Sequence, residues 1–450
     1  MTTFDVAIIG AGPGGADAAE YAAAQGLSVV LFEKNKVGGV CLNEGCVPTK
    51  TLLHSAHIYA KASEGRKYAV SASEVSLDLG KLMARKTKIL KKLSAGIRMG
   101  LERHGVTLVM EAAEIASKEG DIFTLRAGGE AYTARHVILA TGSEAFIPPI
   151  EGLDGVPYWT AREALEVSEL PESLAVIGGG VIGMEFVSFF STLGVKVTVI
   201  EMLPKILGAM DGEVSSELQA AFAKRGVKFH LSTRVQRIEN GVIVATDAEG
   251  QELRLEAAQI LVSVGRRAVT TGLGLETLGV AIERGAVVAD EYLRTSVAGL
   301  YAVGDINGRS MLAHTATREG IVAVNHILGR SDQMSYGAIP GIVYTDPEVA
   351  AVGRTEEELQ ASSTPYEVHK VPMSMSGRFV IENEMVSGLC KVLTDPEGVV
   401  LGVHMLGNTS SEILVPAIMA VDRGMKISEL ASFVFPHPTI SEVLCSAALH

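Results

Sequence analysis

The 450-residue sequence predicts an α/β protein in three parts: two domains built on parallel strands, and a C-terminal α+β domain. Three observations lead there. A short apolar strand near the N-terminus runs into a glycine-rich turn, an alanine-rich helix and a second strand. The same unit returns 168 residues later, counting from position 10 to position 178. Past about residue 335 the glycine turns give way to alternating segments, such as Gly388 to Leu393 and Val399 to Met405, and then to helix. Mixed alternation and helix of this kind reads as α+β.

The first unit begins with a strand from Phe4 to Gly10. It ends in Gly10-x-Gly12-x-x-Gly15, and the following helix leads to Val29-Val30-Leu31-Phe32-Glu33. In the second, Ala175-Val176-Ile177 leads into Gly178-x-Gly180-x-x-Gly183, a helix, and Val197-Thr198-Val199-Ile200-Glu201. Both place an acid 23 residues after the first glycine (10 to 33, 178 to 201). Glycines let the backbone turn tightly and approach a pyrophosphate, which sits on the free N–H groups at the helix N-terminus. Glu33 and Glu201 then stand where a carboxylate accepts hydrogen bonds from an adenosine ribose. A glycine turn that serves only packing explains one such unit, but not two with matched spacing. The sequence therefore predicts two Rossmann-like domains and two bound dinucleotides.

Further strands end in similar turns: Val137 to Gly142, with Thr141 at its end, and Ile260 to Gly265. A third, Gly299 to Asp305, ends in an acid. These elements set the expected boundaries at 1–143 with 265–334 for the first domain, 144–264 for the second and 335–450 for the third.

Acids exceed bases by 52 to 39, a formal charge of −13, which argues against nucleic acid as the main partner. The basic stretch from Lys81 to Arg103 is a local exception. Ile89, Leu93, Ile97 and Leu101 recur through it every four residues, as the buried stripe of a helix with a solvated basic face. No apolar run reaches 18 residues, so no membrane span is expected. The N-terminus lacks a basic leader and reads as a first strand, which points to the cytoplasm.

Of four cysteines, Cys41 and Cys46 lie close together, just after the first acid, in Gly38-Gly39-Val40-Cys41-Leu42-Asn43-Glu44-Gly45-Cys46-Val47-Pro48-Thr49-Lys50. A structural bridge suits a cytoplasmic protein poorly, and this spacing is not a usual zinc pattern. A redox-active pair fits better. Pro48 suits the first turn of a helix running toward Tyr59, which puts Cys46 near that helix's N-terminus and Lys50 on the same face. Both features favour thiolate over thiol. Cys390 and Cys445 sit among apolar residues and read as small buried hydrophobes.

The segment from Cys41 to Lys50 resembles the active-site helix of the pyridine nucleotide-disulfide oxidoreductases, and the resemblance extends over essentially the whole chain. It implies FAD at the first fingerprint and a nicotinamide nucleotide at the second. It implies that Cys46 touches the flavin and forms a charge-transfer state, that Cys41 exchanges with substrate, and that Lys50 pairs near the flavin with Glu185. Gly304-Asp305 matches the family's second FAD motif, whose aspartate holds the ribityl chain, and Met311-Leu312-Ala313-His314 continues that match. His437-Pro438-Thr439-Ile440-Ser441-Glu442 matches the signature in which a histidine is the general base and a glutamate orients its ring. The plain alternative for His437 is a packed surface histidine. Thr439-x-x-Glu442 also reads as a capping box that merely starts a helix. The resemblance further implies a homodimer, joined through the C-terminal domain, in which His437 serves the cysteines of the neighbouring subunit.

Within the family, the adjacent terminal cysteine pair of mercuric reductases is missing, since Cys445 stands alone. Soluble transhydrogenases usually lack one redox cysteine, and both are present here. Glutathione and trypanothione reductases carry arginines where this chain has Glu201, a carboxylate that repels the 2′-phosphate of NADP and accepts from the 2′-hydroxyl of NAD. Lys205, four residues on, is the one nearby cation. What remains resembles the branch of the family that oxidises a dihydrolipoyl group with NAD. No lipoyl domain precedes Met1, so that group is expected on another protein, in an acyltransferase or glycine-cleavage complex. The chain departs from the pattern at Ala268, where proline is usual, in a tail ending eight residues beyond Glu442, and at Glu44, whose charge between the cysteines would disfavour a thiolate. The competing readings are an NAD(P)H-dependent reductase of another disulfide, and a flavin-containing assembly protein with secondary redox activity.

Overall fold

The computed structural model describes residues 3–384 and 386–450. The chain divides into two compact units, residues 1–51, 80–146 and 265–335 forming the first, and 52–79, 147–264 and 336–450 the second.

In the first unit a parallel sheet runs in the order Thr107–Val109, Val29–Phe32, Thr3–Ile9, Glu130–Leu139, with Leu300–Ala302 also pairing parallel to the last strand. Two antiparallel strands, Ile122–Ala127 and Ala113–Glu119, extend it. The central strands are apolar on both faces because both are covered, and Val6, Ala7, Ile8, Val30 and Leu31 are fully buried. Parallel pairing puts the C-terminal ends of Thr3–Ile9, Val29–Phe32 and Glu130–Leu139 on one edge, where the glycine turns lie.

The second unit holds a parallel sheet in the order Lys228–His230, Lys196–Ile200, Ser173–Ile177, Gln259–Val262. It also holds a five-stranded antiparallel sheet ordered Gly341–Val343, Val349–Gly353, Val400–Leu406, Leu389–Thr394, Glu367–Pro372. The alternation read at 388–393 and 399–405 therefore marks two neighbouring strands. Helices Val415–Arg423 and Glu442–Leu449 cover this sheet through Ala417, Ala420, Val443, Leu444 and Ala447.

Two local expectations need correction. The basic segment is a helix, Leu79–Arg103, but its apolar stripe is only partly buried. Leu101 is covered, Ile89 and Ile97 are half-buried, and Leu93 is 43% exposed. A four-residue step advances about 40° beyond a full turn, so four such residues wind around the helix and leave a flat contact face. Lys86, expected on the solvated face, is 1% exposed. Cys445 is half-buried rather than buried, its Sγ 4.0 Å from the Ala431 carbonyl. Cys390 is fully buried as expected, and burial pushes its thiol up to about 12.

Candidate active site

The first fingerprint turns at Gly10, with φ of +106°, where a Cβ would lie 2.3 Å from the Ala140 carbonyl oxygen. Only glycine suits both conditions. A Cβ at Gly15 would meet the Gly10 oxygen at 1.9 Å, so the third glycine lets the helix pack on its own strand. The helix Pro13–Ala24 starts from Gly12 with no side-chain cap and no acid in its first turn. Its leading N–H groups and positive dipole end are thus left for an anion. Glu33 is buried, and its carboxylate accepts from the Ala11 N–H at 2.9 Å and the Asn35 N–H at 2.8 Å.

The second fingerprint repeats this geometry. Gly178 also has φ of +106°, and its Cβ would meet the Ser263 carbonyl oxygen at 2.2 Å. The helix Val181–Thr192 starts from Gly180 without a side-chain cap or a first-turn acid, and a Cβ at Gly180 would meet nothing within 4 Å. Gly183 approaches the Gly178 oxygen as Gly15 approaches that of Gly10. Glu201 accepts from the Gly179 N–H at 2.6 Å and the Leu203 N–H at 2.7 Å, the same two relative positions that Glu33 ties. Two uncapped helix ends, each with an open glycine loop and an acid fixed beside it, fit the pyrophosphate and ribose of two dinucleotides. Lys205 donates to the Met210 carbonyl at 2.6 Å and to Glu357 at 2.9 Å.

Gly38-Gly39 couples the first loop to the cysteines, a role the sequence reading missed. The Gly38 N–H donates to the Ala11 carbonyl at 2.7 Å, and a Cβ at Gly39 would lie 2.7 Å from the Gly12 Cα. The adjacent glycine pair just after the first acid was the available signal. From there the short helix Gly39–Glu44 carries Cys41, and Cys46 opens the helix Cys46–Ser63 with Pro48 in its first turn. That helix extends beyond the expected Tyr59. Cys41 and Cys46 lie in hydrogen-bond contact, as a redox-active pair requires. The bond to Cys46, burial, and repulsion from a Cys46 thiolate all push Cys41 upward, against a smaller opposing pull from Lys50. One charge suits the pair better than two, and the helix N-terminus at Cys46 favours an anion there.

Arg266 is a second residue whose role the sequence did not disclose. It donates through Nε to Ser143 Oγ and through Nη2 to the Ser143 carbonyl, each at 2.7 Å. Ser143 Oγ in turn bonds Asp305. Burial pushes the Arg266 guanidinium down, while the charges of Asp305, Glu44 and Cys46 act to hold it ionised. Glu44 therefore does not act on the thiols alone, because this half-buried cation offsets it. Asp305 lies in a tight turn, Gly304–Asn307, held by the fully buried Glu319, which accepts from the Gly304 N–H at 2.5 Å and from Asn307 at 2.9 Å. Thr141 donates to the Val269 carbonyl at 2.7 Å, and at the neighbouring turn residues Gly142 and Gly265 a Cβ would meet nothing within 4 Å. His314 lies in the first turn of the helix Ala313–Ile327.

In the second unit Glu185 is 3% exposed on the helix Val181–Thr192 and accepts from the Tyr344 N–H at 3.1 Å. His437 Nδ1 lies 2.7 Å from Glu442 Oε1, and its side chain is 77% exposed. Donation from Nδ1 to the carboxylate leaves Nε2 as the acceptor, the arrangement of an oriented general base. Glu442 Oε2 accepts from the Thr439 N–H at 2.9 Å, and that bond, with His437, holds its carboxyl below the usual range. Only half of the expected capping box forms. The last helix runs Glu442–Leu449 from Ser441, and the Thr439 hydroxyl donates to the Pro436 carbonyl instead. Glu442 both orients the ring and secures the turn.

Residues 4–320 match the pyridine nucleotide-disulphide oxidoreductase family and residues 339–448 match its dimerisation domain, so the chain belongs to that family. Its relatives include dihydrolipoyl dehydrogenase 3 of Pseudomonas aeruginosa, 39% identical with 100% of this chain and 98% of that one covered. Dihydrolipoyl dehydrogenase of Chlorobaculum parvum is 38% identical, covering 99% and 96%. Among solved structures, LpdA of Mycobacterium tuberculosis superposes with a TM-score of 0.90 at 28% identity, covering 100% of this chain and 99% of that one. The HOCl-induced flavoprotein disulfide reductase RclA of Escherichia coli gives 0.86 at 26%, covering 99% of each. Among the described residues no helix is long and apolar enough to cross a membrane.

Proposed function

We propose that this protein is a homodimeric dihydrolipoyl dehydrogenase, which oxidises a dihydrolipoyl group and delivers the electrons to NAD. The observation that carries the reading is a close thiol pair at a helix N-terminus, in a chain that also holds a histidine fixed as a base. Full-length relatives named for this activity support it. We assign 1–143 with 265–334 to FAD, 144–264 to NAD and 335–450 to the subunit interface. Gly10, Gly12, Gly15 and Glu33 would hold the FAD pyrophosphate and ribose, Asp305 its ribityl chain, and Gly178, Gly180, Gly183 and Glu201 the NAD. When bound, FAD supplies the two-electron relay between the cysteine pair and the nicotinamide.

His437 Nε2, from the partner subunit in this reading, takes a proton from the dihydrolipoyl dithiol. The thiolate so formed attacks Cys41 in the Cys41–Cys46 disulfide, and Cys46 leaves as a thiolate. The second substrate sulfur then displaces Cys41. The substrate is released as a cyclic disulfide and the enzyme keeps two electrons as its dithiol. Return of the pair to the disulfide passes those electrons on, and NAD leaves as NADH with one proton released. Glu442 keeps the His437 ring in the accepting tautomer, and Lys50 favours the anionic form of the pair.

The decisive experiment is turnover of free dihydrolipoamide with NAD by the purified holoenzyme. Robust turnover is expected. Turnover absent with dihydrolipoamide but present with NADH and another disulfide would replace this reading by the reductase one. The lipoyl group arrives on a partner, with an acyltransferase or glycine-cleavage complex as its carrier, and capture of lipoylated proteins tests that point.

A further inference from the structure

The loop after Glu201 closes back on the second fingerprint. Gly179 donates its N–H to Glu201 and accepts at its carbonyl from the Leu207 N–H at 2.9 Å. A Cβ at Gly179 would lie 3.1 Å from Ile206 Cγ2 and 3.3 Å from Glu201 Oε2. Lys205 is therefore held by its own backbone beside the loop that would take the adenosine ribose. It is the only cation from Glu201 to Leu207. A cation in this position is what a 2′-phosphate needs.

The Lys205 ammonium is drawn off in another direction. It donates to the Met210 carbonyl and to Glu357, which belongs to the short helix Glu356–Ala361 between strands of the C-terminal sheet. Gly212 makes room for the carboxylate, since a Cβ there would lie 2.3 Å from Glu357 Oε1. Neighbouring acids are engaged by a different cation: Asp211, Glu213 and Glu356 lie 2.6, 3.2 and 2.6 Å from the buried Lys391 ammonium. Burial opposes ionisation of Glu357, yet the bond from Lys205 holds its carboxyl below the usual range. The pair is not sealed, with side chains 26% and 46% exposed, so the ammonium would be free to swing once released.

We propose that Glu357, from outside the nucleotide sheet, is a specificity-determining residue that captures Lys205 and so denies a positive charge to the 2′-phosphate of NADP. Glu201 then discriminates by repulsion and Glu357 by withholding attraction. This rests on the reading of Gly178 to Glu201 as the NAD site.

The test compares kcat/KM for NADPH and NADH in reduction of lipoamide by the FAD-loaded enzyme, expressed as a ratio so that partial loss of folded protein cancels. Glu357→Ala and the isosteric Glu357→Gln should each raise the NADPH:NADH ratio roughly fivefold to tenfold, the gain of one charge-assisted phosphate contact. Adding Lys205→Met to either should return the ratio to the parental value, which a general loosening of the domain would not do. An unchanged ratio in both Glu357 variants overturns the proposal, as does a gain that survives Lys205→Met. Glu201→Gln separates the two levels. If it raises the ratio while the Glu357 variants do not, only the capture fails. If none of them moves the ratio, the reading of the second fingerprint fails as well.

Discussion

At Cys41 and Cys46 one negative charge fits where two do not. The bond to Cys46, burial and the charge of a Cys46 thiolate all push Cys41 upward, and the helix N-terminus, Lys50 and Arg266 sit so as to favour a single charge on the pair. Cys46→Ser should therefore abolish the long-wavelength absorption of a thiolate against flavin, whereas Cys41→Ser should retain or strengthen it. Each variant should lose dihydrolipoamide turnover by several orders of magnitude, since disulfide exchange needs both sulfurs. Spectra of the two FAD-loaded variants check this, and the reverse pattern would exchange the two roles. The pair was legible in the sequence because its spacing, its proline and its lysine all lie within ten residues. Arg266 was not. It meets Glu44 and Cys46 only because the chain returns to the first unit after residue 265, more than two hundred positions later.

Among elements, the cysteine segment and the first phosphate loop behave as one piece. Gly39 has φ of +58° and packs its Cα face on Gly12, so Gly39→Ala adds both a left-handed strain and a backbone collision. The strain alone costs about 1 kcal/mol, and relief of the collision must displace the fingerprint. The expected result is weakened FAD retention, at least tenfold by equilibrium dialysis, together with a lowered unfolding temperature of the apoprotein. Unaltered FAD affinity would separate the two elements. Helices and strands with strong periodicity were readable from sequence, as the doubled strand–turn–helix units show. The helix Leu79–Arg103 was readable as a helix but not in its burial, because spacing shows which residues share a face but not which of them neighbouring elements cover. The Thr439 to Glu442 turn was likewise half legible: spacing revealed the carboxylate's reach to the backbone, but not that Ser441 starts the helix.

For the molecule as a whole, distant stretches of the second unit converge on Asp346. His57 Nδ1 lies 3.6 Å from its carboxylate, Arg225 lies 3.8 Å away, Asn408 donates at 2.7 Å, and its backbone N–H donates to Ser188 at 3.2 Å. Burial works against ionisation there, but His57, Arg225 and Asn408 outweigh it and hold the carboxyl at about 2. A carboxyl lowered in the folded state stabilises above its unfolded value of 3.8, and that contribution is lost as pH falls through about 2. The amount at stake is on the order of 2 kcal/mol. Asp346→Asn should therefore be less stable than the parent at pH 5, and the gap should narrow as pH falls toward 2. Denaturant unfolding across that range checks it, and parallel curves would assign the depressed carboxyl no role. Subunit sharing calls for a different experiment. Co-expressed Cys41→Ser and His437→Gln chains, each inactive alone, should regain about one working site per heterodimer, because one chain still supplies the cysteines and the other the imidazole. Verified heterodimers without activity would confine His437 to its own chain.

Glu33 and Glu201 each commit both carboxylate oxygens to backbone N–H groups of their own loops. Neither fingerprint then has to solidify around an arriving nucleotide, and the conformational entropy of the turn is lost once, at folding, rather than at every encounter. With the second fingerprint read as the NAD site, NADH release is expected to depend on the contacts it breaks rather than on remaking of the loop.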